Sequence, residues 1–274
     1  MSKKLIFLEL NEINFDLLKI YSKSYKFKVF NNKFFENLKN TESEKSYDLL
    51  EPWIQWVSIH TGLDAKEHNI FRLGDVENLK KKQIFEEIED YGFSVGAICP
   101  MNAKNNLKNS KYFLPDPWTK NQNPKSFVQN MIYSSLSEAV NNNSGNQLSF
   151  ISILSILISF IYFVRVNKYL NLLTLLINVF NNKWNKALIF DFLINEIHIK
   201  YIDKYKKDFS TIFFNAGAHI QHHYLHNSKV LEKSKKNPEW YIKEKKDPIL
   251  DAYKFYDNLI YEYMNMKNYS ILIA

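Results

Sequence analysis

A chain of 274 residues, 46% hydrophobic and 24% charged, is long enough to bury a large core, which excludes a disordered or fibrous protein. Lys and Arg number 36 against 29 Asp and Glu, a balance of +7, yet Arg is scarce and no basic-aromatic pattern points to nucleic acid. The single cysteine, Cys99, excludes an intrachain disulfide framework.

The apolar run behind Met1-Ser2-Lys3-Lys4 is too short for a signal peptide, so a cytoplasmic location is expected, with the inner face of the membrane as its variant. Leu5 to Leu10 reads as a buried strand interrupted by Glu9 and followed by Asn11 and Glu12. Acidic groups at the end of a first parallel strand lie where α/β folds keep their ligands. Asn14 to Tyr21 has helical spacing, and Phe27 to Phe30 and Ser46 to Leu50 read as short strands. Trp53 to Thr61 is predicted to be a buried helix, entered through Pro52 and ended by a left-handed Gly62. Whatever precedes Pro52 is then held at a helix N-terminus, which favours an anion. Asp64, Glu67 and Asp75 read as solvated charges, with Asp75 as an alternative loop-fixing partner.

A helix over Lys80 to Tyr91 leads into a second buried strand, Phe93 to Cys99. Residues 102–126 read as loop, because Pro115, Pro117 and Pro124 oppose regular structure. A helix is predicted over Phe127 to Val140. Leu148 to Val164 is a 17-residue apolar stretch, short of the roughly 20 residues that span a bilayer. Ser149, Ser152, Ser155 and Ser159 mark one stripe of it, and Lys168 to Phe180 forms a second apolar helix. Three readings of this hairpin stand: a cap over the site, core helices, or a membrane-surface hairpin flanked by Arg165, Lys168, Lys183 and Lys186. A helix over Ala187 to Asp203 and a strand over Phe209 to Phe214 follow. The lysines between Lys229 and Lys246 suit an anionic partner or, more plainly, a solvated loop. Asp251 to Met264 is a helix with Tyr253, Tyr256, Leu259 and Tyr263 inward, and Tyr269 to Ala274 reads as a last buried strand.

Directly after the 209–214 strand come four histidines in eight positions, His219, His222, His223 and His226, with two pairs at the four-residue spacing that chelates a divalent ion on a helix. The strand ending near Glu9, the Pro52 helix closed by Thr61-Gly62, and the late strand with its histidines together resemble the alkaline phosphatase superfamily, in the branch of nucleotide pyrophosphatase/phosphodiesterases and sulfatases. Trp56, Ser58, Thr61, Gly62, His68 and Ile70 carry the match around the nucleophile helix, with Asn69 in place of a glycine. Leu50 to Trp56 and Asn215 to His222 further resemble an uncharacterised bacterial group of that superfamily associated with surface-polysaccharide loci.

The resemblance implies an α/β fold with a largely parallel central sheet flanked by helices. Residues 1–140 and 206–274 would form it, with 146–205 as a helical insertion. It implies a hydrolase or transferase acting on a phosphorylated or sulfated small molecule or glycan, dependent on a divalent metal ion (zinc, manganese or magnesium). The site residues it implies are Glu51 and Ser58 for catalysis, Asn11, Gln55, Trp56 and His60 for substrate, and Glu9, His219, His222 and His223 for metal. The departures are equally specific. Pro52, beside Glu51, stands where the family has a hydroxyl nucleophile, and Ala218 stands where it has a metal-binding Asp. No late Asp-His pair follows, so the natural protein is expected to extend beyond Ala274. A rewired metal site, a catalytically silent binding or accessory protein, and an incomplete chain are the three explanations.

Overall fold

The first strand, β1 (Lys4–Leu10), is followed by α1 (Phe15–Ser24), α2 (Asn32–Glu36), α3 (Pro52–Thr61), α4 (Ala65–His68) and α5 (Ile84–Asp90). Two short strands, β2 (Val95–Ile98) and β3 (Phe113–Leu114), precede α6 (Phe127–Asn141), α7 (Phe150–Phe163), α8 (Tyr169–Asn181) and α9 (Asn185–Tyr205). The chain closes with β4 (Phe209–Phe214), α10 (Ala216–Tyr224), α11 (Pro248–Met264) and β5 (Tyr269–Ile273). This computed structural model describes residues 4–119, 124, 126–141, 148–231, 236–242 and 246–274. Much of the lysine cluster between Lys229 and Lys246, and most of the expected break after Asn141, lie outside those residues.

The five strands form one all-parallel sheet in the order β3-β2-β4-β1-β5. The protein is therefore α/β, with helices on both faces, as the sequence predicts. Side-chain alternation along β1 sorts the faces. Ile6, Leu8 and Leu10 join the larger core, with residues of α1, α9, α10 and α11. Phe7 joins the smaller one, with Trp56 of α3 and Phe85 of α5.

Most predicted elements lie where periodicity puts them, and the exceptions have physical reasons. Phe27 to Phe30 is not a strand, although Phe27, Val29 and Phe30 are buried. The backbone N–H groups of Lys28, Val29 and Phe30 instead donate to the Asp257 carboxylate of α11, at 2.8, 2.7 and 3.2 Å. Tyr47 to Leu49 is a single 3-10 turn, again no strand. The two-residue β3 lies inside the stretch read as loop. β5 is an edge strand, half exposed, with Leu272 50% accessible, where a buried strand is expected from its composition. Asp64 and Glu67 are not idle charges: they form the reciprocal capping box that starts α4.

Candidate functional site at the carboxyl edge of the sheet

Helix α3 forms as its ends dictate. Pro52 occupies the first turn, and Gly62 ends it at φ 69°, in the left-handed region. Trp56 Nε1 donates to Asn11 Oδ1 (2.9 Å), just past β1, and Asn102 Nδ2, past β2, donates to Trp53 O (2.9 Å). The entrance of α3 is thus tied to the carboxyl edge of the sheet. Glu51 is its N-cap residue, exposed, and its side chain makes no capping bond. Gln55 turns away to donate to Leu49 O (2.7 Å).

The indole N–H is only a donor, so it fixes the Asn11 amide with its oxygen toward Trp56. The Asn11 Nδ2 then donates to Asn215 Oδ1, at 2.7 Å, just past β4. This polarity passes along the chain Trp56–Asn11–Asn215 and ends on the Nδ2 of half-buried Asn215, which has no acceptor among the described residues. Trp118 and Trp56 both pack edge-on to Phe213 beside this chain. Glu12, Cys99 and Asn102, at φ 52°, 55° and 47°, carry left-handed backbone immediately beyond β1 and β2. Such strain gathers where a fold holds ligand-facing loops in place.

α10 starts on the same edge. Its first N–H groups, from Asn215 and Ala216, donate to Asp191 of α9, at 3.3 and 2.9 Å, and Tyr256 Oη donates to the same carboxylate at 2.6 Å. Burial pushes the Asp191 carboxyl up to about 7, against the lowering effect of those donors. Gly217 lets α10 approach closely: a Cβ there would meet the Ile13 side chain at 2.3 Å.

The predicted metal set does not assemble. Glu9 lies on the α3 side of the sheet, fully enclosed, receiving the Thr211 hydroxyl and facing His60 Nε2 at 3.2 Å. The imidazoles ride on α10, whose Ala216 and Ile220 pack into the opposite core, so the sheet stands between them and Glu9. His222 pairs with Glu12, and the rings of His219 and His223 lie 4.7 Å apart, exposed. Partial burial, then the neighbouring His223 and His222, lowers the pKa of His219. Among the described residues no group of three or more His, Cys, Asp or Glu is arranged to hold a metal ion. These residues do not fit the divalent ion that the resemblance implies.

Ser58 is likewise not poised as a nucleophile. Ile70 N–H donates to His68 Nδ1 at 3.0 Å, which leaves the ring proton on Nε2, 3.1 Å from Ser58 Oγ. In that tautomer His68 donates to the serine and has no lone pair with which to take its proton. Burial lowers the His68 pKa and favours this neutral form. Asn69, at φ 58°, adopts the left-handed conformation that a glycine takes most readily.

Of the predicted site residues the structure joins Asn11 with Trp56, and Glu9 with His60. It does not join either pair with Ser58 or the histidines. In the sequence Asn215 stands out only as the first residue of the motif that ends at His222, and Asp191 does not stand out. A polar residue directly after a strand signals the first, whereas nothing in its helical surroundings signals the second. Compared with family models, curated proteins and solved structures, the chain matches none.

Proposed function

We propose that this is an alkaline-phosphatase-like protein that binds a phosphate or sulfate ester, carried on a glycan or its precursor, without metal-dependent hydrolysis. The observation that carries the reading is the oriented chain Trp56–Asn11–Asn215, which ends on an amide donor at the carboxyl edge. That edge is where open α/β sheets receive ligands, and the α3 entrance adds the positive end of a helix to it. The enclosure of Glu9 and the tautomer of His68 weigh against turnover.

The test uses p-nitrophenyl phosphate and p-nitrophenyl sulfate with the purified chain. The expected result is a ligand-dependent rise in Tm, no release of p-nitrophenol, and no divalent metal by elemental analysis. Asn215→Asp keeps the acceptor that Asn11 needs but replaces the donor with a negative charge, so it should weaken binding at least tenfold. Turnover by a metal-loaded protein, or equal binding by Asn215→Asp, would overturn the reading.

A further inference from the structure

Helix α7 is built inside out, and α8 is apolar on both its buried and its open side. Ser152, Ser155 and Ser159 are the buried side of α7, and the last two hydroxyls bond back to carbonyls one turn earlier. The outer side carries Ile151, Leu154, Leu157 and Ile161, the last 73% exposed. On α8, Leu170, Leu173, Ile177 and Phe180 are exposed as well, Phe180 at 90%. The inner faces rest on α6 and α9, so the packing that covers the serines leaves the aliphatic side open.

Charge says what covers it. Between Glu138 and Asp191 there is no acidic residue, while Arg165, Lys168, Lys183 and Lys186 fall in that stretch. Arg165 and Lys168 are taken up by Glu196 and Glu262, which anchors the bend to α9 and α11. Lys183 and Lys186 remain exposed past the end of α8. Lys200 lies 3.6 Å from the ring centroid of Tyr162, at the C-terminal end of α7 beside the bend. A protein partner would need hydrogen-bonding groups spread over its contact, about one bond per 100–200 Å². The open side of α7 offers only the Tyr162 hydroxyl, whereas lipid chains require none.

We propose that the α7–α8 hairpin seats this protein on an anionic bilayer, lying in the interface with its aliphatic side among the acyl chains. Spanning is not required. α7 has 14 residues, about 21 Å at 1.5 Å per residue, against roughly 30 Å of hydrocarbon. The two helices bend 115° apart, and no single helix among the described residues is long and apolar enough to cross.

Flotation of the full chain with vesicles tests the proposal. Phosphatidylcholine vesicles containing phosphatidylserine should carry the protein up the gradient, and pure phosphatidylcholine should do so several-fold less. Leu157→Glu and Ile161→Glu, both at exposed positions, should each reduce flotation at least tenfold with an unchanged Tm. Lys183→Glu with Lys186→Glu should remove the preference for the anionic lipid. No flotation with either vesicle, or a dimer in solution that Ile161→Glu dissociates, would overturn it. So would protection of α7–α8 flanks on the far side of a sealed vesicle, which would mean a span.

Discussion

At residue 9 a carboxylate sits inside a strand, on the face that packs against α3 and α5, with both oxygens engaged. Thr211 donates to one and His60 faces the other, and all three side chains are closed to solvent. His60 Nδ1 has no partner among the described residues, so the imidazole already has one donor or acceptor unmet. Removing either member strands the other in a core of Trp56, Phe85 and Phe213, where an uncompensated polar group is costly. Glu9→Ala is expected to cost about 3 kcal/mol or more in urea unfolding, the range for breaking a buried pair. Chelator should leave the Tm of wild type and variant unchanged, whereas a metal ligand would make wild type the sensitive one. From sequence, a carboxylate at a strand end looks the same whether it faces a ligand or a partner histidine. The distinction lies in which face of β1 it occupies and in what the helix 51 residues later brings to it.

Elements show where pattern reading succeeds and where it stops. Helix α3, its proline entrance and its Gly62 exit are local facts, and the sequence reports them because caps act over a turn or less. The same holds for β4, bounded by its continuous apolar run. The segment 27–30 fails because its backbone partner is 227 or more residues away: Asp257 holds three successive N–H groups that an isolated reading assigns to a ladder. Asp257→Ala should therefore loosen the packing of this segment on α11. Three donors lose a charged acceptor, each such bond being worth about 1.5–3 kcal/mol. Partial access to water at Lys28 offsets part of that, so a loss of about 3 kcal/mol is expected in chemical denaturation. Faster amide exchange confined to residues 28–30 and the facing turn of α11 would localise it. Unchanged exchange there would mean that the aromatic packing of Phe30 and Phe34 alone holds the segment.

For the whole molecule, fold class follows from the alternation of apolar runs and amphipathic helices, but strand order does not. The face on which α10 packs is no more legible: it joins the side of Ile6, Leu8 and Leu10, which separates its histidines from Glu9 and encloses polar groups there. Two of those groups give the protein a pH signature. Asp191 caps α10, and His198 bridges Ser210 of β4 and Tyr263 of α11 at 2.7 and 2.8 Å. Burial raises the Asp191 carboxyl to about 7 and lowers the His198 imidazole to about 3.

An unfolded Asp titrates near 3.9, so from about pH 4 to about 7 the native state keeps a proton that the unfolded state has lost. Stability from Asp191 is thus present at low pH and is lost as pH rises through that window. His198 has the opposite sign. An unfolded His titrates near 6.5, so stability present above that value is lost as pH falls toward about 3. Between about pH 4 and about 6.5 the two slopes oppose each other, each about 1.4 kcal/mol per pH unit for one proton. Asp191→Asn, which retains an acceptor for the Ala216 N–H, removes one slope and uncovers the other. Urea titrations across that window should show the variant gaining stability relative to wild type as pH rises, by about one proton's slope. His198→Gln should show the reverse, and the double variant should return to the wild-type slope. A variant profile parallel to wild type would mean that Asp191 stays ionised through the window, held by Tyr256 and the α10 N–H groups against its burial.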